Sequence, residues 1–324
     1  MKIRNILCIS MTSAMLLANV SVSARDFRAA DNQVADYPTG LAMQAMGKQI
    51  SDATNGKYNI KVYANSVLGS GKDAIEQVKI GAIDLTRVST SEFNGIVPET
   101  LVLTFPFIFR DLDHFRSVIN GPVGEETLKA FEKYGWIGLC YYEAGARSIY
   151  AKKPVRNLAD AKGLKIRVQP SDVWVAIISA MGASATPIPY GEVYTALKTG
   201  LVDAAENNYP SYDTTKHWEA ASIYSETQHV MQLDVVVFSK KIWDTLSPEE
   251  QAIVRKAARD SVPYYQKLWV AKEQESKDYL KQQGVTFIDD IKRDEFVAVM
   301  KPVWDRFATT PELKDLVQKI VNTR

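Results

Sequence analysis

The sequence predicts an α/β protein made of two layered units. Strand-like and helix-like segments alternate along it, a pattern that argues for layers with largely parallel sheets. Its 324 residues make two domains the default at about 150 residues each. A helical segment from Ser247 to about Gln283 is too long for one of them, reaching on the order of 50 Å at about 1.5 Å per residue. Apolar residues at 46% and charged ones at 24% are ordinary globular composition and exclude wholesale disorder. A mean hydropathy of −0.17 excludes a polytopic membrane protein. With 39 Lys and Arg against 38 Asp and Glu, no global field draws nucleic acid or anionic lipid. A charged ligand must be drawn by a local cluster.

Residues 1–24 begin with Lys2 and Arg4, continue through an apolar run and close on Val22-Ser23-Ala24. This is the pattern of a secretory signal peptide cleaved after Ala24. Ser10, Thr12, Ser13, Asn19 and Ser21 interrupt the run, so it falls short of a membrane span. Cleavage removes Cys8 and leaves Cys140 alone in the apolar run 136–142, where a buried, inert thiol is expected.

The mature chain then reads as strand 26–30, a helix from Gly40 to Ile50 stopped by Asn55-Gly56, strand 57–63, helix 72–80 stopped by Gly81, and strand 83–88. Helix 111–134, strands 136–142, 148–151 and 164–168, helix 171–181, strand 185–188, helix 190–199 and a short buried strand before Asn207 follow. In the long segment Ser247 is the N-cap, Pro248 suits the first helical position and Glu250 completes a capping box. Pro263 is expected to kink this helix where it passes from one domain to the other.

Signatures of enzyme chemistry are missing. His114, His217 and His229 lack metal-ligand spacing, and no Gly-x-Ser-x-Gly elbow occurs. Gly69-Ser70-Gly71-Lys72-Asp73-Ala74 matches a loose dinucleotide fingerprint, but a plain loop and helix cap explain it better. Glu125-Glu126 and Glu249-Glu250 read as first-turn helix charges. Neither a catalytic constellation nor a metal or cofactor site is expected.

Three polar residues do stand where core or cleft is predicted: Arg147 at the mouth of a strand, Arg167 between Ile166 and Val168, and Asn207 after a buried strand. A guanidinium inside a buried strand is costly without a carboxylate beside it. Glu143 or Glu206 would satisfy Arg167, and so would the carboxylate of a ligand, which a planar guanidinium grips with two parallel hydrogen bonds.

The run Gly163-Leu164-Lys165-Ile166-Arg167-Val168, the segment Pro187-Ile188-Pro189-Tyr190-Gly191-Glu192-Val193-Tyr194, and Val202-Asp203-Ala204-Ala205-Glu206-Asn207 resemble the solute-binding proteins of TRAP transporters. The resemblance spans the mature chain. It implies a two-lobed periplasmic receptor with mixed sheets flanked by helices, a hinge and a long domain-spanning helix. Its lobes would be 25–144 plus 233–270 and 145–232 plus 271–324, closing over an acidic solute that a separate membrane permease receives. Arg147, Arg167 and Asn207 fall on positions that hold the substrate carboxylate in that family.

A four-carbon dicarboxylate would need a second cation opposite Arg167, and Arg87 is the candidate. A sugar acid would need hydroxyl partners, which Asn32, Gln33, Ser89, Gln169, Asp172, Asn207 and Asn208 offer. The segments 167–172 and 206–212 look more like the hexuronate-binding branch than the sialic-acid or dicarboxylate branches. Glu92 has no assigned place, facing either solvent or sugar hydroxyls, and Tyr209 and Trp174 are candidates to stack on a sugar face.

Overall fold

A computed structural model of the chain describes residues 24–324, so the signal-peptide reading falls outside it apart from Ala24. The chain opens with β1 (Arg25–Asp31), α1 (Pro38–Ala53), β2 (Tyr58–Tyr63), α2 (Gly71–Ile80), β3 (Leu85–Ser89), α3 (Leu112–Ile119) and α4 (Pro122–Ala130). It continues through β4 (Trp136–Ala151), α5 (Leu158–Ala161), β5 (Lys165–Val168), α6 (Asp172–Ala180), β6 (Ser184–Pro187), α7 (Val193–Thr199), β7 (Ala204–Asn207) and α8 (Tyr209–Thr214). The remainder is β8 (Ile223–Ser239), α9 (Lys240–Trp243), α10 (Pro248–Gln282), β9 (Thr286–Ile288), α11 (Arg293–Ala298), α12 (Lys301–Phe307) and α13 (Pro311–Asn322).

The strands run in the order β2-β1-β3-β8-β4-β7-β5-β6, with β9 beside β8. β1 is parallel to β2 and β3, and β5 is parallel to β6 and β7. Between these groups β8 is antiparallel to β3 and β4, and β4 is antiparallel to β7. Alternation alone predicts a largely parallel sheet. The long strands β4 and β8 make it mixed, because both run through the two halves and join them.

The strands expected at 136–142 and 148–151 are thus one strand, bent rather than broken by register shifts at 138/140, 143/146 and 147/149. The predicted helix 111–134 is instead divided. Gly121 and Pro122 restart it as α4, whose Gly124 lies so close to Ile119 that a Cβ would sit 1.9 Å from that carbonyl oxygen. β8 and β9 had no expectation in the sequence.

Helix α10 has the capping box of Ser247 and Glu250 and continues through Pro263. Val254, Ala257, Tyr265 and Trp269 share a core with Met43 and Met46 of α1. Further along, Ser276 Oγ donates to Asp213 Oδ2 at 2.7 Å, and Leu280 packs with Tyr212 and Val285. The passage between halves therefore lies beyond Trp269, and Pro263 sits within the first half rather than at the crossing. The C-terminal helices pack on both halves. α12 packs on α6, but α13 lies against α4, with His114 Nε2 2.8 Å from the Ile320 carbonyl oxygen and Lys319 paired with Glu126. The apolar stripe Leu313, Leu316, Val317 and Ile320 is buried in a core that holds Phe109, Phe115 and Val123 of the first half and Val173 and Ile177 of the second.

Candidate functional site

The carboxyl ends of the parallel strands in both halves point into one cleft, the usual place for a ligand on an open α/β sheet. β1 delivers Asn32 and Gln33, β3 delivers Arg87 and Ser89 with Glu92 on the turn behind it, β5 delivers Arg167 and Gln169, and β7 delivers Asn207 and Asn208. Arg147 reaches in from the bend of β4, and β8 adds Gln232 and Asp234. All the candidate carboxylate and hydroxyl partners line the cleft except Asp172, the exposed first residue of α6, whose charge lies at that helix's own N-terminus.

Tyr209 and Trp174 do not line it. The Tyr209 hydroxyl donates to Glu226, and the buried Trp174 lies 5.3 Å under the Arg147 guanidinium. Tyr37, Tyr190, Ser211, Gln232 and Asp234 do line it and were missed. Tyr190 lay in view, inside the Pro-Ile-Pro-Tyr-Gly-Glu segment. Gln232 and Asp234 belong to a strand whose polar residues hide its period.

The three arginines are all buried, but their surroundings differ. Arg87 is held by Asp31, by Asp234 at 3.2 Å and by Asn32 Oδ1 at 2.9 Å. Burial opposes its charge, yet the two carboxylates outweigh burial and its pKa is raised. It is no free second cation for a dicarboxylate. Arg147 forks onto Glu206, with Nη2 2.8 Å from Oε1, and Nη1 donates to Asn207 Oδ1 at 2.7 Å. Glu143 in turn forks with Arg116. Both protein carboxylates open to Arg167 from sequence are therefore taken by other arginines.

Arg167 has no ion pair among the described residues. Its Nε and Nη2 donate to the Ile188 carbonyl oxygen at 2.8 and 2.6 Å, which locks one edge of the guanidinium. The opposite edge, made by Nη1 and the second hydrogen of Nη2, makes no hydrogen bond among the described residues. Burial lowers the pKa of Arg167, outweighing the opposing pull of the nearby Glu206 carboxylate, which is bonded to Arg147. Asn207 Nδ2 and Gln169 Nε2 are donors likewise left over, since Asn207 Oδ1 and Gln169 Oε1 are the atoms engaged. Glu206 and Asp234 are shifted upward by burial, while burial holds His229 down to about 3 and so neutral behind Glu206.

Direct hydrogen bonds close the cleft. Gln33 Nε2 donates to Ser211 Oγ at 3.2 Å, Tyr37 and Ser211 hydroxyls lie 3.0 Å apart, and Tyr190 donates to Gln33 Oε1 at 3.1 Å. Ser89 Oγ donates to Gln169 Oε1 at 2.8 Å, and Asn94 Nδ2 donates to Ser171 Oγ at 3.0 Å. Each joins the β1–β3 half to the β5–β7 half. Gly69-Ser70-Gly71, the loose dinucleotide match, serves as the capping box of α2. The Cys140 thiol is buried and its pKa pushed up to about 12.

Comparison with known proteins finds relatives over nearly the whole chain. Residues 29–310 match the family described as bacterial extracellular solute-binding protein, family 7 (DctP). A solute-binding protein from Chromohalobacter salexigens is 37% identical over 315 residues, 96% of this chain and 94% of the relative. The crystal structure of a TRAP periplasmic solute-binding protein from Bradyrhizobium sp. BTAi1, in complex with α/β-D-galacturonate, is 55% identical with a TM-score of 0.91, covering 92% of this chain and 100% of that one. One from Pseudomonas putida F1 with bound D-glucuronate is 38% identical with a TM-score of 0.90, covering 93% and 98%.

Proposed function

The chain belongs to the bacterial extracellular solute-binding proteins of family 7, and from that premise we propose that it captures a hexuronate in the periplasm and hands it to a TRAP membrane permease. The carrying observation is Arg167: a buried guanidinium with one edge locked by Ile188 and the other hydrogen-bonded to no group among the described residues. That free edge matches the two oxygens of one carboxylate. Asn207 and Gln169 supply further donors beside it, while Arg147 holds Asn207 in place through its Oδ1. Asn32, Gln33, Ser89 and Asn208 form the surrounding polar wall for ring hydroxyls. The lobes close as 25–144 plus 233–270 over 145–232 plus 271–310, with α13 riding on the first. Export and cleavage after Ala24 would deliver the chain to the compartment the family occupies.

A four-carbon dicarboxylate is the competing ligand, since a dicarboxylate-binding relative from Vibrio cholerae is 31% identical. The saturation of Arg87 by Asp31 and Asp234 speaks against it. The test is a melting series of the purified protein with galacturonate, glucuronate, succinate, sialic acid and neutral hexoses. A ligand that binds only the folded state raises the melting temperature by mass action. Uronates should raise it and neutral hexoses should not. A rise with succinate and none with uronates would overturn the sugar-acid assignment. Recovery of the uronate unchanged after incubation would separate a receptor from an enzyme acting on it.

A further inference from the structure

Among the described residues, Glu92 is the one carboxylate of the cleft that no side chain or backbone group holds. Asp31 and Asp234 are bonded to Arg87 and Glu206 to Arg147, whereas Glu92 accepts no hydrogen bond through its side chain. It is nonetheless only 7% exposed and lines the cleft. Its position is built. Its carbonyl oxygen accepts from Lys72 Nζ at 2.7 Å, and its carboxylate rests on Gly71, where a Cβ would lie 2.3 Å from Oε2. Gly71 opens α2, so the charge sits beside a helix N-terminus that favours it. Burial raises the pKa of Glu92, while Lys72, Arg167 and Arg87 oppose that rise. Gln232 Oε1, on the neighbouring strand β8, is a second buried acceptor without a donor among the described residues.

The cleft thus offers one free guanidinium edge and at least two acceptors that await hydrogen atoms. Hydroxyl groups supply such hydrogens, and an ionised carboxylate does not. Of the carboxylates in and behind the cleft wall, Asp31 and Asp234 pair with Arg87 and Glu206 with Arg147, while Lys72, the cation nearest Glu92, is bonded to the Glu92 carbonyl oxygen. A second ligand carboxylate would find both Arg87 and Arg147 already paired, and it would lie beside the charge of Glu92.

We propose that Glu92 determines specificity: it accepts hydrogen bonds from the hydroxyls of a sugar acid with one carboxylate and excludes the matching sugar diacid. This inference rests on the hexuronate reading and adds the residue that sets the limit of the ligand class.

The probes are galacturonate and galactarate, the diacid of the same sugar, titrated calorimetrically at pH 7.5 into the full mature protein and its Glu92→Gln and Glu92→Asp variants. The wild type should bind galacturonate at least about a hundredfold more tightly than galactarate. Glu92→Gln removes the charge at constant size and keeps an acceptor, so that ratio should fall by about tenfold or more, chiefly through a gain for the diacid. Glu92→Asp keeps the charge and shortens its reach, so it should still reject galactarate while holding galacturonate more weakly. An unchanged ratio in Glu92→Gln means that shape alone rejects the diacid, which overturns the inference and leaves the uronate reading standing. Loss of rejection in Glu92→Asp overturns it equally. A wild type that binds neither probe removes both readings.

Discussion

Arg147 and Arg167 are both buried, yet among the described residues one neutralises a protein carboxylate and the other is hydrogen-bonded only to a carbonyl oxygen. Truncation should separate the two. Arg147→Ala leaves Glu206 fully buried without its cation, and breaking such a pair costs about 3–5 kcal/mol of stability. Arg167→Ala removes a desolvated charge with no ion pair, so the unliganded protein should unfold at no lower denaturant concentration than the wild type. Its uronate affinity should fall by about 2–5 kcal/mol, the scale for losing one partner of a buried charge pair. Arg167→Lys should also bind weakly, because an ammonium cannot fork. Paired denaturant unfolding and calorimetric titration check this, and unchanged uronate binding in Arg167→Ala would place the anchor elsewhere. At this scale the sequence was half legible. A buried arginine between Ile166 and Val168 marks itself as needing a partner. Which arginine Glu143 and Glu206 serve depends on Arg116 and Arg147, which only the folded sheet brings beside them.

Most elements were readable because their stop signals act locally. Gly81 ends α2 at φ 77° and Gly200 ends α7 at φ 73°, both conformations that glycine adopts freely. The long strands were harder. β8 carries Ser225, Thr227, His229, Gln232 and Asp234 at buried positions, the last two on the cleft wall and Ser225, Thr227 and His229 in hydrogen bonds away from it, so its period is masked. β4 bends where Gly145 adopts φ 65°, and a Cβ there would lie 2.8 Å from Glu273 Oε1 and 3.0 Å from the Trp269 ring. Gly163 has a similar backbone, at φ 79°, in open space. Gly163→Ala should therefore cost only the left-handed penalty of about 1–2 kcal/mol. Gly145→Ala should add an overpacking cost of about 1–3 kcal/mol against α10. Equal denaturation midpoints for the two variants would mean that α10 does not press on the bend.

For the whole molecule, length and the overlong helix pointed to two units, but the sharing of one sheet through β4 and β8 was not visible, because pairing at long range leaves no local mark. That sharing joins the two halves through β4 and β8 and turns their strand ends toward one cleft. In the closed form Ser211 Oγ meets both Gln33 and Tyr37 across the gap. The cap of α8 does not depend on that hydroxyl, since Asn208 Oδ1 accepts from the Ser211 backbone N–H. Ser211→Ala should consequently fold as the wild type does while losing closure contacts. Neutral hydrogen bonds contribute about 0.5–1.5 kcal/mol each, and a ligand that needs the closed state binds more weakly in proportion as that state is depopulated. Uronate affinity should drop about tenfold, with the melting temperature of the unliganded protein nearly unchanged. Solution X-ray scattering should show the radius of gyration shrinking on ligand addition in both proteins, with more uronate required in the variant. Full wild-type affinity in Ser211→Ala would assign closure to the ligand's own contacts with the two lobes. A radius of gyration that does not respond to saturating uronate in either protein would show that binding occurs without movement of the hinge.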